Sequence, residues 1–243
     1  MQKEGSTVQL GTVERVISKD KRNIPRRAFH SMLHHEGKLY MWGGASLEKY
    51  DPDTLFIFDF RAGEWKSFLL AADRVALTQL SGMCSAHCSN YWYFFGGVSA
   101  EGQLSNRLFR IWLPYCNSME QVSQKGSVPP VSECGSLASM NGKWLLHYPG
   151  LTPSPTTAGS TLYALKISTM EWLQVISGFF DMRPRLSPGF CMVKEDIYIF
   201  GGVARDEDRM EHLSDFYQVR TISRDNSKKF YVMVNPISNI HGP

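Results

Sequence analysis

Little in these 243 residues advertises export, a membrane or a reaction. The amino terminus, Met1-Gln2-Lys3-Glu4-Gly5-Ser6, lacks the apolar core of a secretory signal, and no apolar run approaches the length of a membrane span. No membrane partner is expected. The five cysteines, Cys84, Cys88, Cys116, Cys134 and Cys191, are odd in number and lack the spacing of a small secreted disulfide framework, which points to a reducing cytoplasm or nucleus. Charge is nearly balanced, with a net +3 and basic residues scattered in small groups at 19–22, Arg26-Arg27 and Lys228-Lys229. A nucleic-acid surface needs a concentrated basic stripe, so no nucleic-acid partner is expected. There is no nucleophile elbow, no phosphate-cradling loop and no zinc-hydrolase helix.

The densest ligand-like cluster, Cys84-x-x-His87-Cys88, has the wrong parity for a metal. On a strand Cys84 and Cys88 face one side and His87 the other, and the paired hooks of a structural zinc site are missing. His30, His34 and His35 read as strand histidines near a channel, with His30 and His34 on one face and His35 opposite. Glu207, Glu211 and His212 read as part of a charged loop. No metal, no cofactor and no catalytic residue is expected.

What the chain has is a repeat. The glycine pair Gly43-Gly44 recurs as Gly96-Gly97 and Gly201-Gly202, each closing an aromatic alternating run, with Tyr40, Tyr93 and Tyr198 three positions ahead. The pairs stand 53 and then 105 residues apart, so a further copy falls near 149, where Lys143 to Gly150 repeats the run with Pro149 in place of the first glycine. Four copies of about 53 residues result. Each has an upstream apolar stretch, led in copies one, three and four by Pro25-Arg26-Arg27, Pro129-Pro130 and Pro184-Arg185, then a turn such as Glu36-Gly37 or Asn141-Gly142, which makes a hairpin. A third strand follows at 54–59, 107–112, 161–166 and 215–220. A fourth is marked in two copies by Glu64-Trp65 and Glu171-Trp172, whereas copy two has Ser118-Met119 there and copy four shows no clear fourth strand before 230–234. Four antiparallel strands per unit predict an all-β propeller of four-stranded blades in a single domain over 1–243, with repeats at about 24–72, 73–128, 129–181 and 182–234. Residues 7–17 alternate weakly and read as a possible closing outer strand of a blade whose other strands lie elsewhere. The glycines Gly43, Gly44, Gly96, Gly97, Gly150, Gly201 and Gly202 are expected to admit close neighbours, with Trp65 and Trp172 packing over the gaps.

The glycine pair after an aromatic strand, the third strand and the late tryptophan together resemble the kelch repeat over roughly residues 24–220. The departures are Pro149 for a glycine, the missing tryptophans, and Phe58, Ile111, Leu165 and Val219 where the family's third-strand tyrosine stands. The resemblance implies a β-propeller, possibly part of a larger ring, that binds a protein or peptide partner on the face formed by the loops entering each inner strand and leaving each glycine pair. Those loops offer Arg26, Arg27, Arg74, Arg183 and Arg185 at the entries and Lys49, Tyr50, Arg205 and Arg209 at the exits. Arginine forks bind carboxylates bidentately, so an acidic peptide or a free carboxyl terminus is a natural ligand. The competing role for Arg26 and Arg185 is hydrogen bonding between blades. The exit loop 149–160, with three prolines, could carry a docking segment or phosphorylation at Thr152 or Ser154. Among the settings the resemblance implies are a substrate receptor of a cullin ubiquitin ligase, an actin-associated scaffold and, less in keeping with the residues, a metal-dependent enzyme like galactose oxidase.

Overall fold

The computed structural model describes residues 15–19, 24–48, 53–72, 80–150, 152, 161–176, 182–194, 196–206, 209–222 and 230–237, and strands are its only regular elements there. No helix among them is long and apolar enough to cross a membrane. The first blade is an antiparallel meander of β1 (Ser31–His35), β2 (Lys38–Trp42), β3 (Thr54–Asp59) and β4 (Glu64–Leu69). Its first turn, Glu36-Gly37, has φ of 46° and 70°, the left-handed pair that matches the twist of a tight hairpin. β5 (Ala71–Ala72) and β6 (Leu80–Ser81) lead into the second blade, β7 (Cys84–Cys88), β8 (Tyr91–Phe95), β10 (Leu108–Trp112) and β11 (Ser118–Val122), with β9 (Val98–Ser99) pairing β6 from the exit loop. β12 (Lys125–Gly126) introduces the third blade, β13 (Ser136–Met140), β14 (Trp144–Tyr148), β15 (Tyr163–Lys166) and β16 (Glu171–Ile176). The fourth is β17 (Gly189–Val193), β18 (Asp196–Phe200), β21 (Phe216–Ile222) and β22 (Phe230–Ile237), with the hairpin β19 (Val203–Asp206) and β20 (Arg209–His212) in its exit loop.

The fourth strands that the sequence left unmarked are therefore present. In copy two Met119 stands where tryptophan stands in copies one and three, and it is buried. The charged segment around Glu211 is a hairpin rather than an irregular loop.

Blades join in one manner. The chain leaving one blade's outer strand runs parallel to the next blade's outer strand, as β5 on β11, β12 on β16 and the end of β16 on β22. Ala71 and Lys125 each donate an amide to the residue just before that outer strand, Asn117 and Met170. Lys19 makes the same bond to Gly63 at blade one, 3.0 Å long. The chain thus enters blade one as a chain arriving from a blade would. The closing strand expected at 7–17 lies mostly outside the described residues, and 15–17 are not strand.

Alternation of side chains across each sheet builds three cores, one per junction. Tyr40, Trp42, Leu55 and Ile57 of blade one meet Trp92, Phe94, Phe109 and Ile111 of blade two. Tyr93, Phe95 and Leu108 meet Leu137, Leu145, Tyr163 and Leu165. Leu146, Tyr148 and Leu162 meet Ile197, Ile199 and Val219. Each blade thus has a leading side facing the next blade and a trailing side facing the previous one.

The glycine pairs are where neighbouring backbone crosses. A Cβ on Gly96 would lie 2.6 Å from the carbonyl oxygen of Ser132, and one on Gly97 2.8 Å from that of Ser81. In the copy with Pro149, Gly150 keeps the same closeness, to Glu133 and Cys134 backbone. The tryptophans do not fill these gaps as expected. Trp65 stacks on Phe58 at 5.2 Å, and Trp172 lies buried against Phe95 at 5.2 Å with its indole N–H donated to Gln124. Carbonyl oxygens need the bare glycine, while Trp172 serves the core between blades two and three and Trp65 packs within blade one.

Candidate functional site at the loop face

The entry and exit loops of a blade are tied together at one end of the sheets by short antiparallel bridges: Ala28 with Ala45, β6 with β9, and Leu186 with Val203. Blades are tied to one another at the same end by an amide relay. Phe29, Gly82, Cys134 and Ser187 stand at the same place in the four entry loops, and all have left-handed φ, between 46° and 66°. Gly82 donates its amide to Phe29, Cys134 to Gly82 and Ser187 to Cys134, at 3.0, 2.8 and 3.3 Å. Non-glycine residues hold this conformation only when their surroundings impose it. Here the bonds across each junction do so, and the loops become one rigid rim.

Two of the candidate arginines belong to the blades. Arg27 and Arg185 occupy equivalent places. Each donates Nε to the carbonyl two residues earlier and Nη1 to the first glycine of its own pair, Gly43 at 3.1 Å and Gly201 at 3.0 Å, and each lies over a third-strand aromatic, Phe56 and Tyr217. Arg185 is almost wholly buried and also grips Asp215 with both Nη atoms. Partial burial pushes the Asp215 carboxyl up, but hydrogen bonds and charge from Arg185 outweigh it and hold the group below its ordinary value. The bonds of Arg185 to Arg183, Gly201 and Asp215 run within blade four, Tyr148 of blade three lies close enough to feel its charge, and its fork is already filled.

Arg26 and Arg183 are different. Both are on the surface, each paired with a glutamate of its own blade's exit loop, Arg26 with Glu48 and Arg183 with Glu211, at 2.7 Å in each case. The hydrogen bond from Arg26 keeps the Glu48 carboxyl below its usual range. Exposed pairs of this kind add little stability because water and salt screen them. Arg209 is exposed on β20, and Arg205 sits opposite Met210 in that hairpin. Lys49, Tyr50 and Arg74 lie outside the described residues.

Around the arginines stand exposed apolar side chains that sequence reading passed over: Phe29 in the first entry loop, Leu47 in the first exit loop and Met210 on β20. Phe29 was legible only as the residue after Arg-Arg-Ala, and nothing in that string marks it as exposed. A cleft of about 330 Å³ opens in the exit loop of blade two, lined by Leu80, Ser99, Glu101, Gln103 and residues 104–107. The third exit loop is described only in part. Thr152 is buried and bonded, so it is not presented for phosphorylation as its Thr-Pro sequence implied. Ser154 lies outside the described residues.

Histidines and cysteines are used inside the sheets. Cys84 and Cys88 enter the junction between blades two and three, while His87 faces the other way and stacks on His35 at 4.8 Å. His147 is fully buried in the same junction, its Nδ1–H donated to Ser136, and burial drives its pKa down to about 3. Burial likewise lifts the Cys84 thiol to about 12. A thiol held neutral beside a neutral imidazole is packing, not a nucleophile.

No curated protein matches the chain. The model of the KLHDC2/KLHL20/DRC7 Kelch-repeats domain matches residues 7–202. With four blades, three junction cores and a glycine-pair scaffold in place, the chain belongs to the kelch-repeat family.

Proposed function

We propose that this chain is a non-catalytic protein-interaction module that binds a protein or peptide through its loop face. Kelch-repeat membership supports the interaction role. What supports the choice of face is that Arg26, Phe29 and Leu47 of blade one and Arg183 and Met210 of blade four are all exposed on entry and exit loops at the bridged end of the sheets. Arginine and aromatic side chains around a dry patch are the usual hot-spot chemistry. The ligand is an acidic segment, whose carboxylates replace Glu48 and Glu211. Arg209 lies on β20 beside Met210, and Lys49, Tyr50, Arg74 and Arg205 are assigned to binding by their sequence positions alone, whereas Arg27 and Arg185 hold the loops in shape.

Recruitment of clients to a cullin ubiquitin ligase is the setting we favour, in the cytoplasm or nucleus, where the five free thiols remain reduced. The test is affinity capture from cells of the wild-type chain beside Arg26→Ala/Arg183→Ala. A client lost from the double variant while ligase subunits remain supports the reading. Capture unchanged by the double variant overturns the choice of face, and co-sedimentation with actin in both proteins transfers the function to a cytoskeletal scaffold.

A further inference from the structure

One place in the blades is filled differently from copy to copy, and in blade two the sign of its charge is reversed. Arg27, Leu80, Ser132 and Arg185 each stand two residues before a member of the amide relay, Phe29, Gly82, Cys134 and Ser187. Beside this entry place lies the residue just before the third strand, whose carbonyl accepts the amide of the first glycine of the pair. That residue is Asp215, accepting from Gly201 at 3.0 Å, in blade four and Arg107, accepting from Gly96 at 3.3 Å, in blade two. Blade four thus sets Arg185 against Asp215 as an ion pair. Blade two has Leu80 and Arg107 at the same two places.

The guanidinium itself has been kept. Arg107 lies over Phe109 at 5.5 Å, as Arg185 lies over Tyr217 at 5.3 Å, and the two rings stand at one register position, opposite Phe94 and Ile199. The cation therefore comes from the third strand in blade two and from the entry loop in blade four. Over buried Leu80, where the entry loop supplies no charge, opens the cleft of about 330 Å³, with Arg107, Gln103, Ser99 and Asn106 also lining it. Glu101 lines it too, but its carboxylate accepts from Ser99 Oγ at 2.7 Å and is engaged within its own loop.

We propose that this cleft is the subsite for one acidic side chain of the partner, a glutamate or aspartate whose carboxylate pairs with Arg107 and completes, with the sources of charge exchanged, the ion pair that blade four builds from Arg185 and Asp215. The inference rests on the acidic-ligand reading of the loop face and places one carboxylate of that ligand. A guanidinium has five N–H donors, so Arg107 receives the carboxylate beside the bonds it already makes. Gln103 adds a carboxamide donor from the exit loop. The volume lies at the low end of the roughly 300–1,000 Å³ of ligand pockets, which suits a side chain rather than a whole ligand. Arg107 is half-buried and set against a ring, and a charge partly withdrawn from water holds a carboxylate more firmly than exposed Arg26 or Arg183 does.

The test is fluorescence polarisation of the full chain with labelled tetraglutamate and tetraglutamine peptides, each made with an amidated and with a free carboxyl terminus. Wild type is expected to bind amidated tetraglutamate and not amidated tetraglutamine. Arg107→Gln is expected to weaken that binding about tenfold or more. Gln103→Glu, on the exposed loop, is expected to weaken it as well, and Glu101→Gln to tighten it by removing a like charge. Each variant is checked for an unchanged melting transition, and should Arg107→Gln fail to fold, Gln103→Glu decides alone. Equal affinity in wild type, Arg107→Gln and Gln103→Glu overturns the cleft; if Arg26→Ala/Arg183→Ala still loses the peptide, the acidic-ligand face stands without it. Loss in Arg107→Gln but not in that double variant supports the cleft and moves the ligand away from Arg26 and Arg183. Wild type that ignores amidated tetraglutamate at about 1 mM overturns the proposal, as does binding of the free-terminus tetraglutamine alone, which would assign the cleft to a chain end.

Discussion

Phe95 and Phe200 are the same residue at the same place in two blades, one sealed in the junction between blades two and three and the other more than half open to solvent. Aromatic patterning is therefore a property of the repeat, written into each copy, whereas burial is a property of position in the array. A sheet face acquires its stabilising value only when a neighbour removes it from water.

The largest expected effect comes from breaking a junction at its backbone. Gly97→Val adds a β-branched side chain at φ of 90°, 2.8 Å from the Ser81 carbonyl and 2.6 Å from Met83, and is expected to cost about 4 kcal/mol or more, read as loss of the cooperative transition in urea. The paired truncations sharpen the contrast. Phe95→Ala should cost about 3–5 kcal/mol through the cavity it leaves, and Phe200→Ala less than about 1 kcal/mol; equal costs by urea denaturation would mean that blade four's leading side is covered too.

Arginines repeat the comparison on the polar side. Arg185→Ala leaves Asp215 and the Gly201 carbonyl without their donor and is expected to cost about 3 kcal/mol, whereas Arg26→Ala should stay within about 0.5 kcal/mol and show itself only in partner binding. Chemical denaturation of the two variants checks the ranking.

The smallest effect is a slope. His147, with a folded pKa of about 3 against 6.5 unfolded, is protonated first in the unfolded chain as pH falls. Its contribution is fully present above pH 6.5 and is lost progressively on going from 6.5 towards 3, by up to about 1.4 kcal/mol per pH unit. Urea midpoints between pH 7 and pH 4 should fall less steeply in His147→Gln. An unchanged slope in that variant would assign the acid sensitivity to other groups.

Much of the fold was legible because period-two alternation and glycine spacing are local. The first and third strands of every blade, and the parity that separates Cys84 from His87, follow from sequence position alone. The outer strands of copies two and four were not, because their marker tryptophan is absent and Met119 fills its place only through contacts across a junction. The candidate site was half legible. Arginines in entry loops could be counted, but Arg27, Arg185, Arg26 and Arg183 look alike in a string of letters. Asp215 lies 30 residues from Arg185 and Glu48 lies 22 from Arg26, and only the folded chain says which guanidinium is sealed beneath a glycine carbonyl and which meets solvent.

By itself the sequence determined the repeat, the strand order within a blade and the sites where no side chain fits, since each depends on spacing and backbone sterics within about 53 residues. The tertiary structure decided what lies in the glycine gaps, which arginines are sealed by their own blade and which aromatic sides are buried against a neighbouring blade. Those are properties of contact between copies, and contact between copies is fixed by how successive blades stack rather than by the residues of any one of them.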